Sequence, residues 1–324
     1  MKPKWWIEFL KHTFIWGVLL CSFFPMYVTF NISVKNNRQF NASPFATLPL
    51  AGFFETFKQE PASVTAYDPK AIQAAREVLE ATPAGVSAPA MPLVRESTPQ
   101  TWHWENWSKA WGIVSSYIFN TIFVAVTATA LALVCAIAAA FFFARYRMPG
   151  HSFLWYFFLI LMLMPGVANL IPLFILLKNI HLINSLWALV VLGVAGAQVF
   201  QIYVLRNFIE ELPQDLFDAA EVDGASPFRQ VVNVVLPMSG SIISTLAILN
   251  FLGIWNDFLM PFLIMRDDRM LTLAAGLVKL DGEYVKQWGE MMAGYSIASL
   301  PLVIIFVFTM RLFIKGITAG AVKG

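Results

Sequence analysis

The sequence predicts an all-α membrane protein with six transmembrane helices and an external insert between the first and the second. Three observations lead there. Of 324 residues, 58% are hydrophobic and 13% charged, more apolar side chain than one globular core encloses. Apolar runs occur at 13–34, 117–143, 153–177, 186–205, 241–264 and 291–314, close to the roughly 20 residues a helix needs to cross a bilayer. Lysine and arginine gather mainly on one side of these runs, as they do on the cytoplasmic side of membrane spans.

The first run follows Lys2, Lys4 and Lys11. It is longer than a secretory signal core and no small-x-small cleavage site follows it directly, so it reads as an uncleaved anchor. Residues 1–34 then comprise a cytoplasmic amino terminus and the first span, and 35–112 form an external stretch with an Ala/Pro-rich middle from 61 to 99. Within that stretch Asp68-Pro69 reads as an N-cap and first-turn proline opening a short helix, which makes a small external cap. Trp104, Trp107 and Trp111 recur at helical spacing beside Trp102, as an interfacial aromatic belt or, less directly, a surface for sugar stacking.

Residues 113–315 hold the remaining five spans. With six spans alternating, Arg145, Arg147, Arg206, Arg229 and Lys315 share a side with the amino-terminal lysines, which places both termini and the tail 316–324 in the cytoplasm. One loop dissents. Arg266, Arg269, Lys279 and Lys286 lie on the opposite face, and their acidic companions Asp267, Asp268, Asp281 and Glu283 count little in this rule.

Several function classes are disfavoured. A net charge of +2 supplies no basic face for nucleic acid. Cys21 and Cys135 sit in apolar runs as small packing residues, and His12, His103, His151 and His181 have no metal-ligand spacing. No motif joins nucleophile, base and metal ligands on one membrane face, so a membrane enzyme is disfavoured. No phosphate-cradling G-x-x-x-x-G-K-[ST] loop is present, so any ATP is handled by another subunit.

The most informative segment is 206–237, RNFIEELPQDLFDAAEVDGASPFRQVVNVVLP. Pro213 opens a short helix, Gly224 ends it, Ser226-Pro227 starts a second and Pro237 closes that one. A mere connector between spans is usually shorter than this helix pair, so the elbow reads as a docking device.

Asp218, Ala219, Ala220, Gly224, Val234, Leu236 and Pro237 fall at the offsets of a known signature: EAA, three residues, Gly, nine residues, Ile, one residue, Leu-Pro. The chain thereby resembles the permease subunits of bacterial ATP-binding-cassette importers, with aspartate for the usual glutamate and valine for the usual isoleucine. DGASPF is similar to the carbohydrate-uptake branch, specifically the maltose-transporter type; FARYRMPG at 143–150 resembles the family's turn after the second span, WNDFLMPFLI at 255–264 its fifth-span motif, and GITAGAVKG at 316–324 the carboxyl-terminal tail of one of the two permeases in maltose-type systems. The Ala/Pro-rich external region is poorly matched.

The resemblance implies the type I importer permease fold and an inner-membrane subunit without catalytic activity or a cofactor of its own. A second, different permease would complete the pathway. Two ATPase subunits carrying ATP and Mg would bind beneath, and a periplasmic binding protein would deliver a sugar or oligosaccharide. Asp218, Ala219, Ala220, Glu221, Asp223, Gly224, Ser226, Pro227, Leu236 and Pro237 would form the ATPase-coupling loop. Gly320 and Lys323 in the tail would touch the ATPases, and Asp281, Glu283, Tyr284 and Trp288 the binding protein, unless 280–288 is simply an exposed turn anchored by Trp288.

Polar groups inside spans are costly and face a cavity or a partner helix. Asn120, Asn169, Gln198, Asn250, Trp255, Asn256 and Asp257 are the pathway candidates, with interhelical packing the alternative for each. Gln201 joins them, and Pro165, Pro172 and Pro301 are expected to kink their helices. An ion-coupled carrier is the competing reading, with Asp257 as its main intramembrane charge. Malto-oligosaccharides, other neutral oligosaccharides, glycerol phosphates and acidic sugars such as alginate fragments all remain open as solute.

Overall fold

A computed structural model describes residues 5–46, 101–147, 149–163, 166–278 and 287–321, and the regular structure among them is helical. Two compact units emerge: residues 1–107 with 287–293, and residues 108–286 with 294–324.

The first unit is built on α1 (Trp5–Ser33). Phe14, Trp16, Leu20, Phe23 and Phe24 all stand exposed along this apolar helix, as suits a segment whose solvent is lipid. At its end Phe30 packs edge-on to Trp107 with ring centroids 5.9 Å apart, and Trp104 lies 6.3 Å away. Trp102 in turn stacks on Trp104 at 5.9 Å. The tryptophans expected to form a belt thus pack on α1 and one another, with Trp111 exposed. The short α2 (Asn37–Ala42) starts from a reciprocal capping box between Asn36 and Gln39.

Between α1 and α2 lies Lys35, buried, whose Nζ donates to the carbonyls of Ser43, Pro44 and Ala46 at 3.0, 2.9 and 2.6 Å. Burial lowers its pKa below the ordinary 10.5. Asn106 Nδ2 donates to the carbonyls of Ser33 and Lys35, both at 2.9 Å. Gly289 faces the same turn, and a Cβ there would stand 2.2 Å from the Lys35 carbonyl oxygen.

The second unit contains most of α3 (Glu105–Arg145), the helix of the second expected span. Its buried alanines 125, 128, 132, 136 and 140 fall at three- and four-residue spacing, a flat stripe that lets another helix approach closely. That neighbour is α6 (Leu186–Glu210): a Cβ on Gly193 would lie 3.0 Å from Ala128 Cβ, and Gln198 Nε2 donates to the Ala132 carbonyl at 3.1 Å.

The third and fifth spans are not the continuous helices the hydropathy predicts. In place of one helix over 153–177 there are α4 (His151–Met162), a 3-10 turn (Gly166–Asn169) and α5 (Leu170–Asn179). Pro165 lies outside the described residues, and Pro172 sits inside α5. The fifth span divides into α9 (Gly240–Trp255) and α10 (Leu259–Ile264), introduced below with the segment that precedes them. The divide follows from local side-chain bonding: Asn256 Nδ2 donates to the Leu252 carbonyl at 2.8 Å and Asp257 Oδ1 accepts from the Met260 amide at 3.4 Å.

Among the described residues four helices are long and apolar enough to cross a membrane, or five with one bent pair taken as a single span, against the six expected. The loop after α10 is held by Asn184, in left-handed conformation at φ 61°, whose Oδ1 accepts from the amides of Arg266 and Asp267. A single turn, α11 (Leu273–Gly276), precedes α12 (Trp288–Ala321), the helix of the sixth span. That helix continues into the glycine-rich tail as far as Ala321.

Candidate functional site: the elbow and the membrane cavity

The elbow starts with α7 (Gln214–Val222), for which Pro213 is the N-cap, and Asp215 in the first turn favours the helix dipole. Phe217 is the anchor. It is fully buried, 6.4 Å from the Phe141 ring and capped on one face by the Arg145 guanidinium at 3.8 Å. Arg145 Nη1 also donates to Gln214 Oε1 at 2.7 Å, and Gln214 Nε2 donates to Asp218 Oδ1 at 2.8 Å. Asp218 is therefore tied by two hydrogen bonds to the end of α3. Around Phe217, Ile202, Leu205 and Ile209 of α6 and Ile137 and Phe141 of α3 form one core cluster.

The helix ends as a glycine at this position should end one. Gly224 has φ 72°, its amide donates to the Glu221 carbonyl at 3.0 Å, and the Ala225 amide reaches back to Ala220 at 2.9 Å. These are the paired bonds of a Schellman stop. Ser226 Oγ then accepts from the Arg229 amide at 3.4 Å and Pro227 occupies the first turn of α8 (Pro227–Met238).

Pro237 does not close this second helix, contrary to expectation. The chain passes through a π turn over Val231–Val235, in which the Leu236 amide bonds the Val231 carbonyl, and continues to Met238. Proline has no N–H to offer the carbonyl four residues back and its ring crowds that carbonyl, so a widened turn accommodates it. The break comes at Ser239, after which α9 leaves at 84° to α8.

Asp218, Ala219, Glu221, Asp223, Gly224, Ser226, Pro227, Leu236 and Pro237 are exposed and Ala220 is half-buried. Beside them two large apolar side chains stand in the open, Val222 at 89% and Phe228 at 76% exposure. The elbow thus has a rigid inner face fixed to α3 and α6 and an unsatisfied outer one. Phe217, Arg145 and Gln214 escape a reading based on the motif. The available signals were a lone aromatic in a short, acidic helix and the arginine of the FARYRMPG stretch.

Of the pathway candidates, Asn169 and Asp257 are brought together. Both line a cavity of about 600 Å³ with Pro172, Gly193, Met260 and Thr272, where the 3-10 turn before α5 faces the break between α9 and α10. The others do not line it. Asn120 Nδ2 donates to the carbonyls of Arg269 and Leu271 at 2.7 and 3.0 Å, and Asn250 Nδ2 to Thr129 Oγ1 at 3.3 Å. Gln198 joins α6 to α3 as described above. Gln201 is buried on α6, Trp255 is buried and stacks on Phe251 at 5.5 Å, and Asn256 is exposed.

Trp288 packs on Phe40 at 4.7 Å and its amide donates to Asn37 Oδ1 at 3.0 Å. Asp281, Glu283, Tyr284 and Lys323 lie outside the described residues, while Gly320 is in the last turns of α12. Among the described residues no group of His, Cys, Asp and Glu is arranged to hold a metal ion.

Residues 132–319 match the family described as binding-protein-dependent transport system inner membrane component. The chain is 32% identical over 234 residues to a probable ABC transporter permease protein, YurM, of Bacillus subtilis (strain 168), covering 70% of this chain and 76% of the relative. It is 29% identical to the diacetylchitobiose uptake system permease protein NgcG of Streptomyces coelicolor, with the same 70% and 76% coverage. To the arabinooligosaccharides transport system permease protein AraQ of Halalkalibacterium halodurans it is 30% identical, covering 66% and 76%. Among solved structures, a chain of a bacterial ABC transporter involved in the import of the acidic polysaccharide alginate superposes with a TM-score of 0.68 at 13% identity, covering 96% of this chain and 98% of that one. At that identity the likeness speaks to the fold.

Proposed function

Since this chain belongs to the binding-protein-dependent transport system inner-membrane components, we propose that it is one of two permeases of an ATP-driven importer, of the maltose-transporter type. A second, different permease completes the pathway, and a periplasmic binding protein delivers a sugar or oligosaccharide. Two ATPase subunits, carrying the ATP and Mg, dock on the elbow. Both termini lie in the cytoplasm. The relatives named for diacetylchitobiose and arabino-oligosaccharide uptake support an oligosaccharide as solute. The cavity shared by Asn169 and Asp257 offers polar partners for sugar hydroxyls beside an apolar wall.

One observation carries the coupling reading: Phe217 is locked between α3 and α6 while Val222 and Phe228 face outward. A partner that covers Val222 and Phe228 gains their burial, and any tilt it imposes on the elbow passes through Phe217 and Arg145 to two membrane helices as a rigid body. Cysteines placed at Val222 and Phe228 should crosslink to an ATPase subunit in native membranes, whereas cysteines on the lipid-exposed face of α1 should not. Absence of any nucleotide-hydrolysing adduct along the elbow would overturn the assignment. Gly320, Lys323, Asp281, Glu283, Tyr284 and Trp288 keep their proposed contacts, tested by deleting 316–324 and by shortening 280–288.

A further inference from the structure

Near the elbow end of the second unit, the end of α3, the start of α4 and the end of α6 enclose a cavity of about 490 Å³. Gly150, in left-handed conformation at φ 81°, is the N-cap of α4 and provides no side-chain cap, so the first amides of that helix, at His151 to Phe153, open onto the cavity wall. Arg147, His151, Ser152, Arg206 and Glu210 supply its polar groups.

Two nitrogen atoms of these half-buried side chains are shielded from solvent and have no hydrogen-bond partner among the described residues. Arg206 lies 4.2 Å over the Trp155 ring, pairs through Nη2 with Glu210 and reaches Asn207 Oδ1 at 3.4 Å, yet its Nε has no acceptor. His151 stacks on Phe143 at 5.7 Å and its Nε2 likewise has none. Arg147 is exposed and forms no ion pair among the described residues. With Glu210 set against Arg206, one positive charge, that of Arg147, remains uncompensated. The unpartnered Arg206 Nε–H, an open helix start and surplus positive charge together call for an oxyanion with several acceptors.

The mouth of the cavity says which oxyanion. Along α4, directly beside the helix start, Phe153 is 73% exposed and Leu154, Phe157 and Ile160 are also bare. A free phosphate leaves that apolar strip uncovered, whereas a phospholipid fills both parts, its phosphodiester in the cavity and its acyl chains along α4. We propose that this cavity binds the headgroup phosphate of an anionic phospholipid. Placing it in the cytoplasmic leaflet rests on the orientation proposed above, while the binding itself does not.

The test uses the full-length chain purified in detergent and examined by native mass spectrometry with phosphatidylglycerol, with phosphatidylcholine of the same chains, or with inorganic phosphate as competitor. Phosphatidylglycerol should be retained about fivefold more tightly than phosphatidylcholine, the value expected for one uncompensated arginine near a lipid surface. Arg147→Gln should lose that factor, Arg147→Lys should keep it and His151→Ala should weaken retention. Because Arg147 is exposed and forms no ion pair among the described residues, its variants should melt as the wild type does, which separates lost binding from lost folding. Equal retention of both lipids, or unchanged retention in Arg147→Gln, overturns the proposal. Displacement by inorganic phosphate at matching concentration reassigns the site to a free anion and overturns it too. None of these readings involves an ATPase, so failure of the coupling reading would leave retention intact, and loss of retention would leave ATP-driven uptake intact.

Discussion

Phe217 and Gly224 set the elbow in different ways, and their substitutions should fail differently. Removing the Phe217 ring leaves a cavity among residues of α3, α6 and α7 and strips the Arg145 guanidinium of the surface it covers. Phe217→Ala should therefore cost roughly 3–5 kcal/mol, read as a lower melting temperature in detergent, and a variant that melts as the wild type would refute the anchor. Gly224→Ala meets no neighbour within 4 Å, so only the left-handed backbone at φ 72° opposes it. The cost should be about 1–2 kcal/mol, confined to the turn, with the chain still inserted and ATP consumed per solute raised. Lys35 adds a pH dependence. Burial lowers its pKa, so the folded chain holds that proton less tightly than the unfolded one, and this penalty, full at neutral pH, fades as pH rises through the lowered pKa toward 10.5. Lys35→Met would remove the ammonium from the Ser43, Pro44 and Ala46 carbonyls, leaving the last two only the longer bonds from Asn31 Nδ2 at 3.5 and 3.3 Å, a loss of roughly 1–3 kcal/mol. The stability gap between wild type and this variant should widen on going from neutral to alkaline pH; a gap that narrows would show that the buried ammonium is not what titrates.

Among the elements, hydropathy located the apolar segments but not their continuity. The first, second, fourth and sixth runs fall on the single helices α1, α3, α6 and α12. The fifth is divided where Asn256 and Asp257 bond their own backbone, the third at the Gly166–Asn169 turn, and such local features leave no trace in a 20-residue hydropathy window. The elbow was readable to the residue at Gly224, Ser226 and Pro227, where backbone conformation dictates the side chain, and unreadable at Phe217, whose role depends on a tertiary partner, Arg145, distant in sequence. Pro237 was misread because a proline that ends most helices can instead be absorbed by a π turn. That turn supports a prediction. Pro237→Ala restores an N–H able to reach the carbonyl four residues back, letting the turn tighten to α geometry and shifting α8 by about one residue, or ~100° of helical rotation, relative to α9. The variant should insert and melt normally while the importer containing it consumes more ATP per solute imported; an unchanged stoichiometry would mean that the π turn does not set the elbow's aim.

For the whole molecule, the question is what drives the solute, and Asp257 is the residue on which the two transport mechanisms disagree. An ion-coupled carrier spends an intramembrane carboxylate on binding or releasing its ion, so neutralising that carboxylate abolishes the coupling itself. The family to which the chain belongs works with a binding protein, and in such a machine the same carboxylate is one polar group on a cavity wall, shared with Asn169. Asp257→Asn keeps the shape and one acceptor oxygen, exchanges the other oxygen for an amide donor and removes the charge. If Asp257 hydrogen-bonds the passing solute, loss of a charge-assisted bond, worth about 1.5–3 kcal/mol, should lower uptake at limiting solute by roughly tenfold or more. The residual uptake should still require ATP and ignore a collapsed proton gradient. If it merely lines the wall, uptake should hardly change and the energy source should be the same. Uptake in inside-facing-correct vesicles, measured with ATP and then with a protonophore, separates these outcomes from the carrier's, in which the Asn variant exchanges solute without accumulating it and wild-type accumulation collapses with the gradient.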